Sequence, residues 1–113
     1  TIDSYREKAA TTNATATTIL TLPIPTGAFA LVDVQVVAKD ASTGRRVFKL
    51  SRSCENPSGT VGTITTLGSD FNSGTGAHAV TFVASGANIL VQVAGIAATN
   101  CNWLAIADVK TTT

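Results

Sequence analysis

Short apolar runs broken by turn residues recur along the chain, and this pattern constrains the fold more than any other feature. In the run Phe29–Lys39 the valines Val32, Val34 and Val36 alternate with polar neighbours. A period of two is that of a β-strand with one buried face. The runs follow one another at spacings of about 10 residues, with Gly, Asn, Ser or Pro between them. We therefore predict an all-β fold, an antiparallel β-sandwich or jelly roll of about seven or eight strands.

Two hairpins are predicted from the turn residues. In the first, the cluster Asp40–Gly44 separates the run from Phe29 and a return strand over Arg45–Cys54. In the second, Ile89–Gly95 and Asn102–Val109 form a C-terminal hairpin in the middle of a sheet. The last strand is apolar on both faces, which is typical of a central covered strand or of a subunit contact.

The first twelve residues differ from the rest of the chain. Ser4 and Glu7 have the spacing of a helix capping box, but the segment is too short for a stable helix of its own. Two interpretations stay open, an extended terminus and an arm that reaches a neighbouring subunit. We divide the chain into an N-terminal arm, residues 1–12, and a single β-sandwich domain, residues 13–113.

The chain is poor in charge, with 13% charged residues against the usual share of about 25%. The net charge is +1, so no global field attracts nucleic acid or an anionic membrane. No apolar run approaches the ~18 residues of a membrane helix. We expect neither a nucleic-acid nor a membrane partner. A surface built from Thr, Ser, Ala and Asn can be buried against another protein at little desolvation cost, and self-association is expected.

Residues with catalytic or metal-binding chemistry are few and dispersed. His78 is the one histidine, and its position at a strand start beside Gly76 favours a surface or rim location. Cys54 and Cys101 are either free thiols or a disulfide, and the sequence leaves both open. No metal-ligand spacing and no phosphate-binding loop is present. We predict no catalytic residue, no metal, no cofactor and no enzymatic activity.

The candidate partner-binding residues come from two places. The N-terminal segment supplies one aromatic and two basic side chains, and the return strand of the first hairpin supplies the main concentration of positive charge. Arg45 and Lys49 are predicted on one strand face, with Arg46 and Arg52 on the opposite one. The candidates are Tyr5, Arg6, Lys8, Arg45, Arg46 and Lys49.

The C-terminal region resembles small β-rich virion proteins of tailed bacteriophages. The resemblance is carried by Val91, Val93 and Gly95, a short Ala/Thr/Asn connector, and then Asn102-Trp103 and an alternating final strand. The strand from Arg45 to Leu50 and the turn at Gly68 also suit that group. The resemblance covers about half of the chain and transfers no functional residue. It implies capsid decoration (cement) subunits or tail-fibre and appendage modules.

The resemblance and the composition lead to one expected function. We expect a structural virion protein that binds and stabilises a phage capsid as a decoration subunit, in contact with the major capsid protein or other virion subunits. Its expected location is the virion, assembled in the host cytoplasm. The alternatives are a tail-fibre or receptor-binding module and a carbohydrate-binding β-sandwich. The last requires Trp103 or Tyr5 to be an exposed stacking platform.

Overall fold

The computed structural model describes residues 1–112 and is all-β. Residue 113, the last of the range assigned to the sandwich, lies outside the described residues. Within this range there are nine strands: β1 Ile2–Thr11, β2 Thr17–Pro23, β3 Phe29–Asp40, β4 Arg45–Glu55, β5 Thr65–Thr66, β6 Phe71–Thr75, β7 Ala79–Ser85, β8 Asn88–Ala94 and β9 Cys101–Thr112.

Two antiparallel sheets pack face to face. Sheet A has six strands in the order β1-β9-β3-β4-β5, with β6 also paired to β4. Sheet B has three strands in the order β2-β8-β7. The predicted antiparallel sandwich is therefore confirmed. No helix in residues 1–112 has the length and hydropathy needed to cross a membrane.

The core lies between the sheets and follows the period-two alternation. On β3 the inward side chains Val32, Val34 and Val36 are almost fully buried, as are Ile89 and Val91 on β8. Each aliphatic side chain of this size stabilises the fold by about 1.5–3 kcal/mol when it leaves water. The predicted faces of β3 and β4 are confirmed, since Phe48 and Leu50 point inward and Arg45, Val47 and Lys49 point outward.

The predicted C-terminal hairpin is wrong. β8 is the central strand of sheet B, whereas β9 lies between β1 and β3 in sheet A. The connector between them crosses from one sheet to the other instead of closing a hairpin. The true partner of β8 along the chain is β7, joined by a tight turn at Gly86, whose φ is 56°. Gly, which has no Cβ, adopts such a φ at the lowest steric cost.

The first residues also differ from the expected arm. Ile2–Thr11 forms β1 and pairs with β9 over its whole length, from Ile2 opposite Lys110 to Thr11 opposite Cys101. Without β1, the apolar side chains of β9 would be less well covered and one edge of β9 would be unpaired. β1 covers these side chains and pairs with that edge. Three further features are local. β6 forms in a glycine- and serine-rich stretch, β5 has only two residues, and a register shift in β2 buries both Ile19 and Leu20.

Candidate functional site

The outer face of sheet A is exposed, and its strand registers set which side chains are neighbours. In antiparallel strands, residues directly opposite each other have Cβ atoms about 4.5–5.5 Å apart on the same face. Three consecutive rows run across β1, β9, β3, β4 and β6. We call the residues of these rows the basic face: Ala10, Asn102, Lys39, Arg45 and Thr75; Lys8, Leu104, Val37, Val47 and Ser73; Arg6, Ile106, Gln35, Lys49 and Phe71.

Positive charge is concentrated on the basic face. The three rows contain five of the chain's eight Lys and Arg residues and no carboxylate. Four of them are among the residues predicted from the sequence: Arg6 and Lys8 come from β1, and Arg45 and Lys49 from β4. The fifth is Lys39, at the end of β3. Residues that are distant in sequence therefore form one positively charged surface.

An aliphatic row crosses the middle of the basic face. Leu104, Val37 and Val47 stand side by side on β9, β3 and β4, and are 37%, 48% and 41% exposed. A shallow groove of about 600 Å³ runs over Leu104 and Val37 between Lys8 and Lys39. Adjacent exposed aliphatic residues on an otherwise polar surface are typical of a protein contact. Leu104 belongs to the outward apolar face of β9 that the sequence indicated, but its place beside Val37 and Val47 was not predicted.

Two acidic groups of the same outer face, Asp33 and Asp108, lie in the next row and are held by neighbours. Asp33 accepts hydrogen bonds from Ser51 Oγ at 2.6 Å and Lys110 Nζ at 3.0 Å. These two bonds lower the pKa of Asp33 against the opposing effect of burial. Asp108 accepts a 2.6 Å bond from Ser4 Oγ. The basic face is thus followed by a row in which both carboxylates are already bonded, and beyond that row the outer face of sheet A again exposes apolar side chains, at Ile2, Leu31 and Phe29.

A buried polar cluster fixes the strands beneath the basic face. Trp103 Nε1 donates to Thr11 Oγ1 at 2.9 Å, and the Trp103 ring meets the edge of the His78 ring at a centroid distance of 5.8 Å. His78 Nε2 lies 3.1 Å from Asp40 Oδ2. Asp40 Oδ1 accepts from the N–H groups of Ser42 and Gly44, both at 2.9 Å. The cluster therefore links β1, β9, the β3–β4 turn and the start of β7.

Burial and hydrogen bonding have opposite effects on the pKa of Asp40. Burial acts to raise the pKa of its carboxyl group. The hydrogen bonds from Gly44, Ser42 and His78 outweigh that effect, and the pKa is lowered. The predicted surface location of His78 is wrong, because its side chain is fully buried. Gly44 and Gly76 make room for the imidazole, since a Cβ on either would lie within 2.6 Å of His78 Cε1.

Two of the predicted partner-binding residues lie outside the basic face. Tyr5 points to the other side of β1, where it is half-buried and packs against the core. Burial, and secondarily the nearby Asp3 charge, raises its pKa. The Arg46 guanidinium donates to Asn72 Oδ1 at 2.7 Å and to the carbonyl groups of Gly76 and Gly74 at 2.9 and 3.2 Å. These bonds hold β6 against β4.

The structure also shows where the two cysteines, the potential metal ligands and Trp103 lie. Cys54 and Cys101 are free and buried, and burial raises the pKa of both thiols. Within residues 1–112, no three His, Cys, Asp or Glu side chains come together as a metal site would require. Trp103 is 2% exposed, so it cannot serve as the stacking platform of a carbohydrate site.

Sequence reasoning missed Lys39 and the aliphatic row. Val37 and Lys39 occupy the polar-face positions of the β3 alternation, and Leu104 and Val47 occupy the corresponding positions of β9 and β4. Apolar residues at solvent-facing positions of three separate strands were the available signal. Their adjacency depends on the register between strands that are distant in the chain.

Comparison with known proteins finds a distant structural similarity. No family model and no curated protein matches the chain. Among solved structures, it is similar to the tailspike protein of Acinetobacter baumannii phage AM24, with 15% identity and a TM-score of 0.44. The match covers 99% of this chain and 28% of that one, so the chain spans less than a third of the tailspike protein. The matched protein is a phage protein, and at this level of similarity the match carries no argument about function.

The prediction that the chain is not an enzyme is corrected here. It depended only on the absence of a catalytic motif from the sequence. A phage tailspike protein is among the solved structures similar to this chain, and the prediction of no enzymatic activity is withdrawn. No activity is assigned to the chain from this match.

Proposed function

We propose that this chain is a structural module of a phage virion and that it attaches to a neighbouring virion subunit through the basic face. The single observation that carries the attachment surface is the aliphatic row Leu104, Val37 and Val47 within a ring of five cations. The phage context is supported by the resemblance of the C-terminal sequence to small virion proteins.

The side chains of the basic face suit a protein partner. The aliphatic row loses water when another apolar surface covers it, at about 25 cal/mol per Å² of apolar area. The surrounding Lys and Arg side chains favour a partner with carboxylates around that area, because complementary charges speed association and select the partner. The backbone of a paired sheet is already ordered before it binds, so the entropic cost of association falls mainly on the Lys and Arg side chains, at about 0.5–1.5 kcal/mol for each one immobilised.

The proposed partner is a capsid subunit, and the chain is a decoration protein. Copies on a symmetric shell would each make the same modest contact, and contacts between neighbouring copies would add to it. Attachment through the basic face replaces the expected arm as the proposed mode of binding, since residues 2–11 are part of sheet A.

Co-sedimentation with undecorated capsids tests the proposal, with host cells as a parallel target. The double variant Lys8→Gln/Lys49→Gln removes two charges from the basic face. The control Thr21→Glu/Thr26→Glu changes the net charge by the same amount at exposed positions in and beside sheet B. We expect saturable capsid binding by the wild type and the control, and at least tenfold weaker binding by the basic-face variant.

Other outcomes would contradict the proposal in different ways. Equal loss of binding in both variants would mean that net charge, and not the basic face, drives attachment. Binding to cells alone would replace the capsid proposal with a receptor-binding module of a tail appendage. Binding to neither target would reject attachment to these partners.

A further inference from the structure

Sheet B ends at an edge strand that has a partner on one side only. β7 pairs with β8 from Ala79 opposite Ala94 to Ser85 opposite Asn88, and no strand lies on its other side within residues 1–112. The N–H and C=O groups of an edge strand that point away from the sheet form a template for one more strand. The outer edge of β7 is such a template.

The edge strands of the two sheets differ in how well they are protected. β1, at one edge of sheet A, carries Asp3, Arg6, Glu7 and Lys8. Charged side chains, proline and bulges all discourage a further strand from pairing. β2, at the other edge of sheet B, ends at Pro23 and has a register shift. β7 has seven residues with no charge, no proline and an unbroken register with β8.

The sequence of β7 also allows two copies of this strand to pair with each other. In an antiparallel pair of two β7 strands centred on Phe82, each residue lies directly opposite a residue that points to the same side of the sheet. Val80 lies opposite Ala84 of the second copy on the inner side, and Thr81 lies opposite Val83 on the outer side. No like charges meet. A β1 pair centred on Arg6 would place the two Arg6 side chains against each other.

We propose that β7 pairs antiparallel with β7 of a second copy of this chain, joining two three-stranded sheets B into one six-stranded sheet. The added strand would cover side chains that the single chain leaves partly in water: Val83 is 40% exposed, and Val80 and Phe82 are half-buried. The inference does not rest on the proposed function. Because the basic face lies on the outer side of sheet A, both copies would keep it free.

A charge-swap experiment tests both the pairing and its register. Thr81 and Val83 are exposed, so their substitution leaves the core intact. In Thr81→Glu/Val83→Glu, carboxylates would face each other twice across the dimer axis. In Thr81→Lys/Val83→Glu, each cation would face a carboxylate of the second copy. Light scattering after size exclusion gives the mass, and circular dichroism checks that each variant is folded.

We expect the wild type to have the mass of two 11.5 kDa chains, the double-glutamate variant the mass of one, and the lysine–glutamate variant the mass of two. Any wild-type mass other than that of two chains overturns the proposal. So does a folded double-glutamate variant that stays dimeric, because the contact would then lie elsewhere. A folded lysine–glutamate variant that is monomeric overturns the register.

Discussion

Trp103 Nε1 donates a 2.9 Å hydrogen bond to Thr11 Oγ1, and through it the last strand holds the end of the first. Both residues are buried, and their Cα positions lie in neighbouring strands of sheet A. The same tryptophan ring packs on His78, which is bonded to Asp40. The strands that carry Lys8, Leu104 and Lys39 on the outside are therefore joined on the inside by one polar cluster.

The first prediction concerns Thr11. Thr11→Val keeps the shape of the side chain but leaves the Trp103 N–H buried without an acceptor. The expected loss is about 1–3 kcal/mol in the free energy of unfolding. Urea denaturation measures it, and Thr12→Val is the matched control because Thr12 is exposed. Equal stability of the two variants would show that the Trp103 bond contributes nothing.

Removal of residues 1–11 gives a second prediction. If these residues were an arm, the rest of the chain would fold without them. As β1 they pair with β9 and supply the acceptor for Trp103, so we expect the truncated chain to be far less stable and its tryptophan fluorescence to shift to the red. An unchanged urea midpoint and emission maximum would support an arm.

The pH dependence of stability tests the Asp40–His78 pair. A lowered pKa in the folded state means that the unfolded chain takes up the proton first as the pH falls. The stabilisation by Asp40 is therefore complete well above its ordinary pKa of 3.8 and is lost as the pH falls through the lower folded value. We expect Asp40→Asn to be less stable than wild type at neutral pH, and the difference to shrink in acid.

The other carboxylates with lowered pKa values, Asp33 and Asp70, are present in both proteins and cancel in this comparison. Urea midpoints of wild type and Asp40→Asn measured over a pH series give the difference directly. A gap that stays constant from neutral to acidic pH would show that ionisation of Asp40 does not stabilise the fold.

Substitutions at Gly68 and Gly76 distinguish the cost of backbone strain from the cost of crowding a neighbouring side chain. Gly76 has a φ of 102°, and an added Cβ would lie 2.5 Å from His78 Cε1, whereas Gly68 has a φ of 70° with open space around it. Gly68→Ala should cost about 1–2 kcal/mol for the left-handed backbone alone. Gly76→Ala should cost about 1–3 kcal/mol more, because the imidazole must also move. Equal losses in urea denaturation would mean that His78 has room to shift.

Arg52 on β4 contacts both Asp70 and the Phe82 ring of β7. Its guanidinium donates to both carboxylate oxygens of Asp70, at 2.7 and 2.9 Å, and lies 4.5 Å from the centre of the Phe82 ring. Arg52→Lys keeps the charge and loses the two-pronged geometry, so we expect a loss of about 1–3 kcal/mol. The control Lys110→Ala removes an exposed ion pair to Asp33 and should cost less than about 1 kcal/mol. A smaller effect for Arg52→Lys than for the control would contradict this.

Local patterns predicted the strands better than their arrangement. The alternation in β3 and β4 gave both faces correctly, because consecutive side chains of a strand must point to opposite sides. β8 and β9 were correctly recognised as central strands, but each is central in its own sheet. A connector of six residues is equally able to close a hairpin or to cross between packed sheets, and the sequence does not distinguish the two.

The candidate site was partly predictable for the same reason. Arg45 and Lys49 share a face because they lie in one strand. That Arg6 and Lys8 join them depends on β1 pairing with β9, and β9 with β3, which are contacts between strands far apart in the chain. His78 was misplaced because a lone polar residue beside glycines resembles a turn. Here the glycines instead provide the space in which the ring is buried.

Amine labelling of the particle-bound protein tests the attachment surface most directly. The chain has four lysines, of which Lys8, Lys39 and Lys49 lie on the basic face and Lys110 lies two rows beyond it on the same side of sheet A. Lys110 is an internal control, since its side chain is 45% exposed in the free chain. We predict that binding to the virion protects the three basic-face lysines from acetylation and leaves Lys110 reactive. Equal labelling of all four in the free and the bound protein would contradict attachment through the basic face.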